Sequence, residues 1–392
     1  MTYWRIAMGD DAAAPPTLTD LTEVDLAIIG GGFTGLTCAI YAKRMRPELK
    51  VVLLEARDLG AGASLRNEGA FTVEYQPWWR AKARGDEALA RRYQAMVERA
   101  MARFTEFLDE EGIDCDLRRT HALVLASKRN VGTVTAEFKT LRSAGKDVEL
   151  IESSELRRTL RVATFALGMR ESNWHVIHPG KLLAGLATAA RRHGVVIHER
   201  TNVERIETGA RVILHTAHGR VSARDAFVAG NLQGVPLLPQ LWRETFPVHH
   251  GVIVTRPLNA SEIEEAALDR WPLRFDTAWE PRFNRFTSRL TDDRRLLVRG
   301  SLGYAFGNAL EWRAFDASVS RFWQRYVKRF PWARDVVLEE RWHGMTDGTA
   351  SGGVISGLVP PTTNLWTCLG FNGHGVMQTH YNAYLLASRI CG

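Results

Sequence analysis

Residues Val24–Glu55 read VDLAIIGGGFTGLTCAIYAKRMRPELKVVLLE, and the architecture follows from them. VDLAII is a short apolar run suited to a strand buried on both faces of a parallel sheet. It stops at Gly30, Gly31 and Gly32. Leu36, Ala39, Ile40 and Met45 then recur at helical spacing, Pro47 ends the helix, and Val51–Leu54 reads as the next strand. The order predicts a β-α-β unit. Within it Gly30, Gly32 and Gly35 form a G-x-G-x-x-G pattern. The first glycine permits a tight turn, the second lets backbone approach a pyrophosphate, and the third lets helix and strand pack closely. Glu55, 20 positions beyond Gly35, stands where a carboxylate accepts hydrogen bonds from both ribose hydroxyls and disfavours a 2′-phosphate. The glycine spacing alone is weak, because 33 glycines in 392 residues produce it by chance. Its place between strand and helix, with the acid following, makes it a dinucleotide site. These residues leave FAD and NAD both open.

The length suits two domains with a large cofactor between them. Hydrophobic residues at 45% and charged residues at 24% are near the globular average, which argues against a disordered or fibrous chain. Cys38, Cys115, Cys368 and Cys391 lack CxxC or CxH spacing, so no zinc or other metal site and no disulfide framework is expected. Reduced thiols point to a cytoplasmic protein. The opening MTYWRIAMGDDAAAPP lacks a basic segment followed by an apolar run, and no stretch approaches the roughly 18 apolar residues of a membrane span. Neither export nor a membrane is expected. The net charge of +7 comes largely from dispersed arginines, as in RMRPELK and ALARRYQ. Alternation with Asp and Glu predicts a solvated surface and no nucleic acid.

Beyond the β-α-β unit, Leu59–Gly69 (LGAGASLRNEG) is Gly- and Ala-rich without a period and reads as an extended loop. Leu89, Tyr93, Met96, Val97, Met101, Phe104 and Leu108 mark one face of a long helix that Gly112 ends. Pro179, after His178, fits a first helical position. Val252–Val254 and Leu296–Val298 read as strands of a second sheet, and Leu365–Leu369 as a further strand. GFNGHGV, residues 370–376, then opens a final helix.

GGGFTG, VVLLEARDLGAGASLRN, AGN at 229–231, WHGMTDG at 342–348 and LGFNGHGV at 369–376 span nearly the whole chain. Their order resembles the D-amino-acid oxidase superfamily of flavoproteins, above all its gamma-glutamylputrescine oxidase branch. There an early Tyr-Trp (here Tyr3-Trp4), a GASxRNxG loop, a Trp-x-Gly-x-x-Asp segment and a Gly-His-Gly-Val turn recur. The resemblance implies an α/β fold with an α+β substrate part: a Rossmann-like FAD-binding domain and an interleaved antiparallel-sheet substrate domain, as in glycine oxidase and sarcosine oxidase. The expected ranges are 1–80, 165–240 and 340–392 for FAD, and 81–164 and 241–339 for substrate. It implies FAD contacts at Gly30, Gly32, Phe33, Thr34, Gly35, Glu55 and Ala56, and at Ser64, Arg66 and Asn67. Val203, Gly230, Gly344, Gly370, Gly373, His374, Gly375 and Val376 complete the set. Small residues at 61–64 let backbone lie against a flat ring, Arg66 and Asn67 can donate to it, and the start of the last helix can face its pyrimidine end.

The implied reaction is oxidation of a primary or secondary amine. Hydride passes from the amine-bearing carbon to flavin N5, the imine hydrolyses, and oxygen takes the electrons to give hydrogen peroxide. An amine dehydrogenase with another acceptor and a flavin-binding electron-transfer subunit are the alternatives. Glu68 departs from the related GASGRNGG loop; it can hold a substrate cation, or else face solvent or pair with an arginine. His249 and His250 lie in a segment that lines the substrate cavity in relatives, with His250 the candidate substrate contact and a satisfied structural histidine the plainer role. Arg299 can bind an anionic group or simply end a strand. Tyr304 and Phe306 can wall the cavity. Met377 stands where sarcosine oxidase-like relatives carry a carboxylate-binding lysine, which disfavours a simple N-methyl amino acid. WHGMTDG lacks the cysteine that joins flavin covalently in those relatives, so non-covalent FAD is expected. The amine's identity and the oligomeric state stay open.

Overall fold

The computed structural model describes residues 2–8, 18, 21–72, 76–162, 164–276, 286–304 and 312–392. Its first sheet has eight strands. Five are parallel, in the spatial order Leu365–Leu369, Gly219–Val228, Leu21–Ile29, Val51–Leu54 and Val196–His198. Ile355–Leu358 adds an antiparallel edge, and Val203–Glu207 with Val212–Thr216 forms a meander onto Gly219–Val228. Central strands are buried on both faces, which explains why Leu26–Ile29 and Val51–Leu54 are apolar at every position. The helix Phe33–Met45 covers one face and is buried along most of its length, so its apolar residues do not form a single stripe. It packs between the helices Pro179–Arg192 and Gly375–Cys391.

The second sheet has nine strands. Its order is Leu338–Thr349, Thr245–Pro257, Arg295–Tyr304, Phe286–Leu290, Leu273–Asp276, Arg118–Ala126, Leu167–Val176 and Ala70–Thr72, with Val148–Glu152 also on Leu167–Val176. Its pairs are antiparallel except Leu273–Asp276 against Arg118–Ala126. Ala70–Thr72, Leu167–Val176 and Leu338–Thr349 all belong to this second sheet. The strands around His249 and Val298 are longer than the sequence reading made them.

Alternation separates the two faces of this sheet. Leu123, Leu125, Ile253, Phe286, Leu296 and Val298 point outward into a core shared with the helix Trp312–Arg329. Val252, Val254, Leu297 and Trp342 point inward and merge with the core around the first sheet and the helix Phe33–Met45. Farther along the inner face, Val124, Leu273 and Phe275 pack with Trp78, Ala81 and Ala90 under the helices Gln76–Ala83 and Glu87–Glu111. Between these two inner cores lies the face that carries Arg299 and Thr287, direct cross-strand neighbours.

Candidate active site

Gly30 ends the first strand with φ at +109°, and its N–H donates to Leu54 O at 2.8 Å. A Cβ there would meet the Ala229 carbonyl at 2.8 Å and Gly230 N at 3.1 Å. Gly30 and Gly230, far apart in sequence, therefore touch. Gly35 is packed tighter still, because its Cβ would lie 2.0 Å from Gly30 O. Glu55 follows the second strand and accepts from Gly31 N at 2.8 Å and Arg57 N at 3.0 Å. Phe33 N donates to Ser64 Oγ at 3.0 Å, which brings the Ala61–Gly69 loop onto the first turn of the helix that also carries Thr34. Ala56 is exposed directly after Glu55. Val203 is buried in the cluster with Val24, Ile29, Val52 and Val228, on the meander.

The loop itself contains a short 3-10 turn, Ala63–Leu65. Asn67 Nδ2 donates to Ser64 O at 2.8 Å and its Oδ1 accepts from Gly69 N at 2.8 Å, so this amide shapes the loop from within. Arg66 Nε donates to Ala61 O at 2.9 Å and Nη1 to His343 O at 2.6 Å. Gly344 lies against Arg66, with a hypothetical Cβ 3.0 Å from Arg66 Cβ. Trp4 Nε1 donates to Asn67 O at 2.8 Å, and the Arg289 guanidinium stacks on the Trp4 ring. Arg289 Nη1 donates to Glu68 O at 3.0 Å and Ile177 O at 3.0 Å. Burial lowers the Arg289 pKa to about 10. Trp4 and Arg289 thus grip the loop from beneath.

Glu68 pairs with an arginine: its Oε1 lies 3.3 Å from Arg299 Nη1, and both side chains are largely shielded from solvent. Arg299 Nη2 lies 3.2 Å from His250 Nε2. A guanidinium only donates, so His250 Nε2 accepts and the ring proton sits on Nδ1. Burial, then the Arg299 charge, hold His250 well below its ordinary pKa, consistent with a neutral ring. Its Nδ1 is buried without a partner among the described residues, as is Thr287 Oγ1. His249 points to the opposite face, where it stacks on His343. Tyr304 ends its strand, and Phe306 lies outside the described residues.

The last turn closes the arrangement. Asp347 is buried and accepts from Gly370 N and from Phe371 N, the latter at 3.2 Å, while its own carbonyl accepts from Asn372 N at 3.0 Å. Burial raises the Asp347 pKa. Gly370 and Gly373 have φ at +85° and +83°, which sharp turns of this kind require. His374 is the N-cap of Gly375–Cys391, and its side chain does not cap that helix start. Val376 and Met377 are buried in the same core as Leu36, Ile40 and Leu183.

The donors and spaces suit a flavin dinucleotide. A glycine turn at a buried helix start, a carboxylate after the second strand, a small-residue loop and a second helix start meet a ligand with a phosphate, a ribose and a flat electron-accepting ring. The sequence reading missed Asp347 as an individual, although the Trp-x-Gly-x-x-Asp segment contains it. It also missed Arg289 and Thr287. The alternation in FTSRL hints at them, because a strand position that faces inward and carries a charge or hydroxyl must find partners.

The family model described as FAD dependent oxidoreductase matches residues 25–389, and the chain belongs to this family. FAD is therefore its cofactor and oxidation–reduction its chemistry. Gamma-glutamylputrescine oxidoreductase of Escherichia coli is 28% identical over 386 residues, covering 96% of this chain and 85% of that protein. Among solved structures, glycine oxidase from Geobacillus kaustophilus is similar with a TM-score of 0.76 at 19% identity, covering 94% of this chain and 95% of its own. L-proline dehydrogenase from P. horikoshii follows the same fold with a TM-score of 0.71 at 17% identity, over 94% of this chain and 93% of its own.

Proposed function

We propose that this protein oxidises a primary or secondary amine at its C–N bond, with non-covalent FAD as the acceptor and oxygen as the reoxidant. Bound FAD supplies a two-electron acceptor that turns the amine into an imine, which water hydrolyses. Gly30, Gly32 and Gly35 with the helix start at Phe33 and Thr34 would hold the pyrophosphate, and Glu55 the ribose. The Ala61–Asn67 loop and the Gly370–Val376 turn would hold the ring system. The single observation that carries the reading is the grouping of Glu68, Arg299 and His250 on the loop and inner sheet face beside that cradle. A hydride acceptor asks little acid–base work of the protein, so the task of these residues is to place the amine's C–H against the ring and keep water out. The names of gamma-glutamylputrescine oxidoreductase and glycine oxidase support an amine-bearing substrate.

The test is an anaerobic screen of primary amines, secondary amines and amino acids that follows loss of visible flavin absorbance. Bleaching by amines is expected; a flavin left oxidised by every member of the panel would sink the reading. Admitting air to the reduced protein then separates oxidase from dehydrogenase. Prompt return of the absorbance with peroxide formed supports oxygen. The fold shared with a proline dehydrogenase makes an artificial-dye acceptor the necessary control.

A further inference from the structure

Three arginines converge on the loop, and their donors are spent differently. Arg66 and Arg289 direct theirs to main-chain carbonyls of Ala61, His343, Glu68 and Ile177. Those bonds build the backbone. Arg299 instead points its guanidinium at side chains, with Glu68 Oε1 at 3.3 Å on Nη1 and His250 Nε2 at 3.2 Å on Nη2. A guanidinium is the natural partner of a flat carboxylate. Here the protein supplies that carboxylate itself.

We propose that Glu68 is a built-in counter-anion that fills the carboxylate-binding edge of Arg299, so that the site rejects substrates bearing a carboxylate next to the reacting amine. The inference rests on the amine-oxidation reading above. A substrate carboxylate would have to displace Glu68 or sit beside it, and two anions within a few ångströms in a half-buried site oppose each other. His250, neutral and already engaged through Nε2, adds no positive charge to offset a second anion. Among the described residues, the Nδ1–H of His250 and the hydroxyl of Thr287, the direct cross-strand neighbour of Arg299, are buried without a partner. Neither is charged. Both suit a polar but uncharged substrate group or a bridging water.

Acetate and benzoate are the probes, titrated into FAD-loaded protein and followed by the shift of the visible flavin spectrum and by calorimetry. Wild type should bind them weakly. Glu68→Gln should bind them at least about tenfold more tightly, and Glu68→Ala should show the same gain, with retained flavin and an unchanged melting temperature marking a folded protein. Arg299→Met in the Glu68→Gln background should remove the gain. Equal carboxylate affinity in wild type and Glu68→Gln, or a gain that survives loss of Arg299, overturns the proposal. The titration needs no turnover. A protein whose flavin no amine reduces therefore refutes the amine reading by itself, while amine reduction without the gain in Glu68→Gln refutes only the counter-anion.

Discussion

Gly35 faces the carbonyl of Gly30 so closely that a side chain has no room, and the neighbour is backbone, which cannot swing aside. Gly35→Val should therefore push the helix Phe33–Met45 off the first strand. We expect a loss of about 1–3 kcal/mol in urea unfolding together with release of flavin on gel filtration; a variant that keeps both would show that the contact yields. This position was legible in the sequence because its requirement is local, a fixed spacing between strand and helix. Glu55 and the GASLRN loop were legible for the same reason. The pairing of Glu68 was not, because its partner Arg299 comes from a strand far along the chain. The sequence could say only that a carboxylate stood in an unusual place, and it left cation-holding and arginine-pairing both open. Arg66 and Asn67 illustrate a different limit. Their donors suggested ligand contact, yet several of them brace main-chain carbonyls within and beside the loop.

At the scale of elements, the turn before the last helix depends on a strand from the other sheet. Asp347, on Leu338–Thr349, holds the N–H groups of Gly370 and Phe371 in a setting that excludes water. Asp347→Ala would leave two buried donors without acceptors, each costing about 1–3 kcal/mol. We expect the dissociation constant for FAD, measured by quenching of flavin fluorescence on the apoprotein, to rise at least about tenfold. Unchanged affinity would mean that the turn holds its shape unaided. The main strands and helices were visible as periodicity, and their sheet membership was less so. Ala70–Thr72 is too short to carry a pattern, and Leu167–Val176 pairs with partners on both sides that no local signal identifies. The inner face of the second sheet is likewise a product of pairing: Arg299, Thr287 and Val252 become neighbours only when three strands align.

Across the whole molecule, acid should be the weak side of its stability. Burial holds His380 down to about 3, and lowers His175, His178, His198, His249, His250 and His343 as well. In the unfolded chain these rings take up protons near 6.5. Below that pH the unfolded state binds more protons, so stability is full above about 6.5 and drains away as the pH falls towards the folded values. For His380, whose folded value lies farthest below, the loss approaches about 1.4 kcal/mol per pH unit inside its window. Urea midpoints at pH 7, 6 and 5 should fall in order, and His380→Gln should flatten the profile by one proton; a parallel profile would exclude His380. The same histidine has a second consequence. Its ring meets Tyr41 OH at 3.0 Å across 339 positions of sequence, and the strand Leu365–Leu369 completes the parallel sheet that Leu21–Ile29 begins. A ribosome therefore delivers the Gly30–Gly35 turn long before Leu365–Cys391, the segment that packs against it. Until Leu365–Cys391 has been made, the growing chain carries apolar helix faces uncovered. A chain stopped after Asn364 should emerge without flavin and collect in the insoluble fraction, and a soluble yellow truncation would show that the nucleotide half closes without its end.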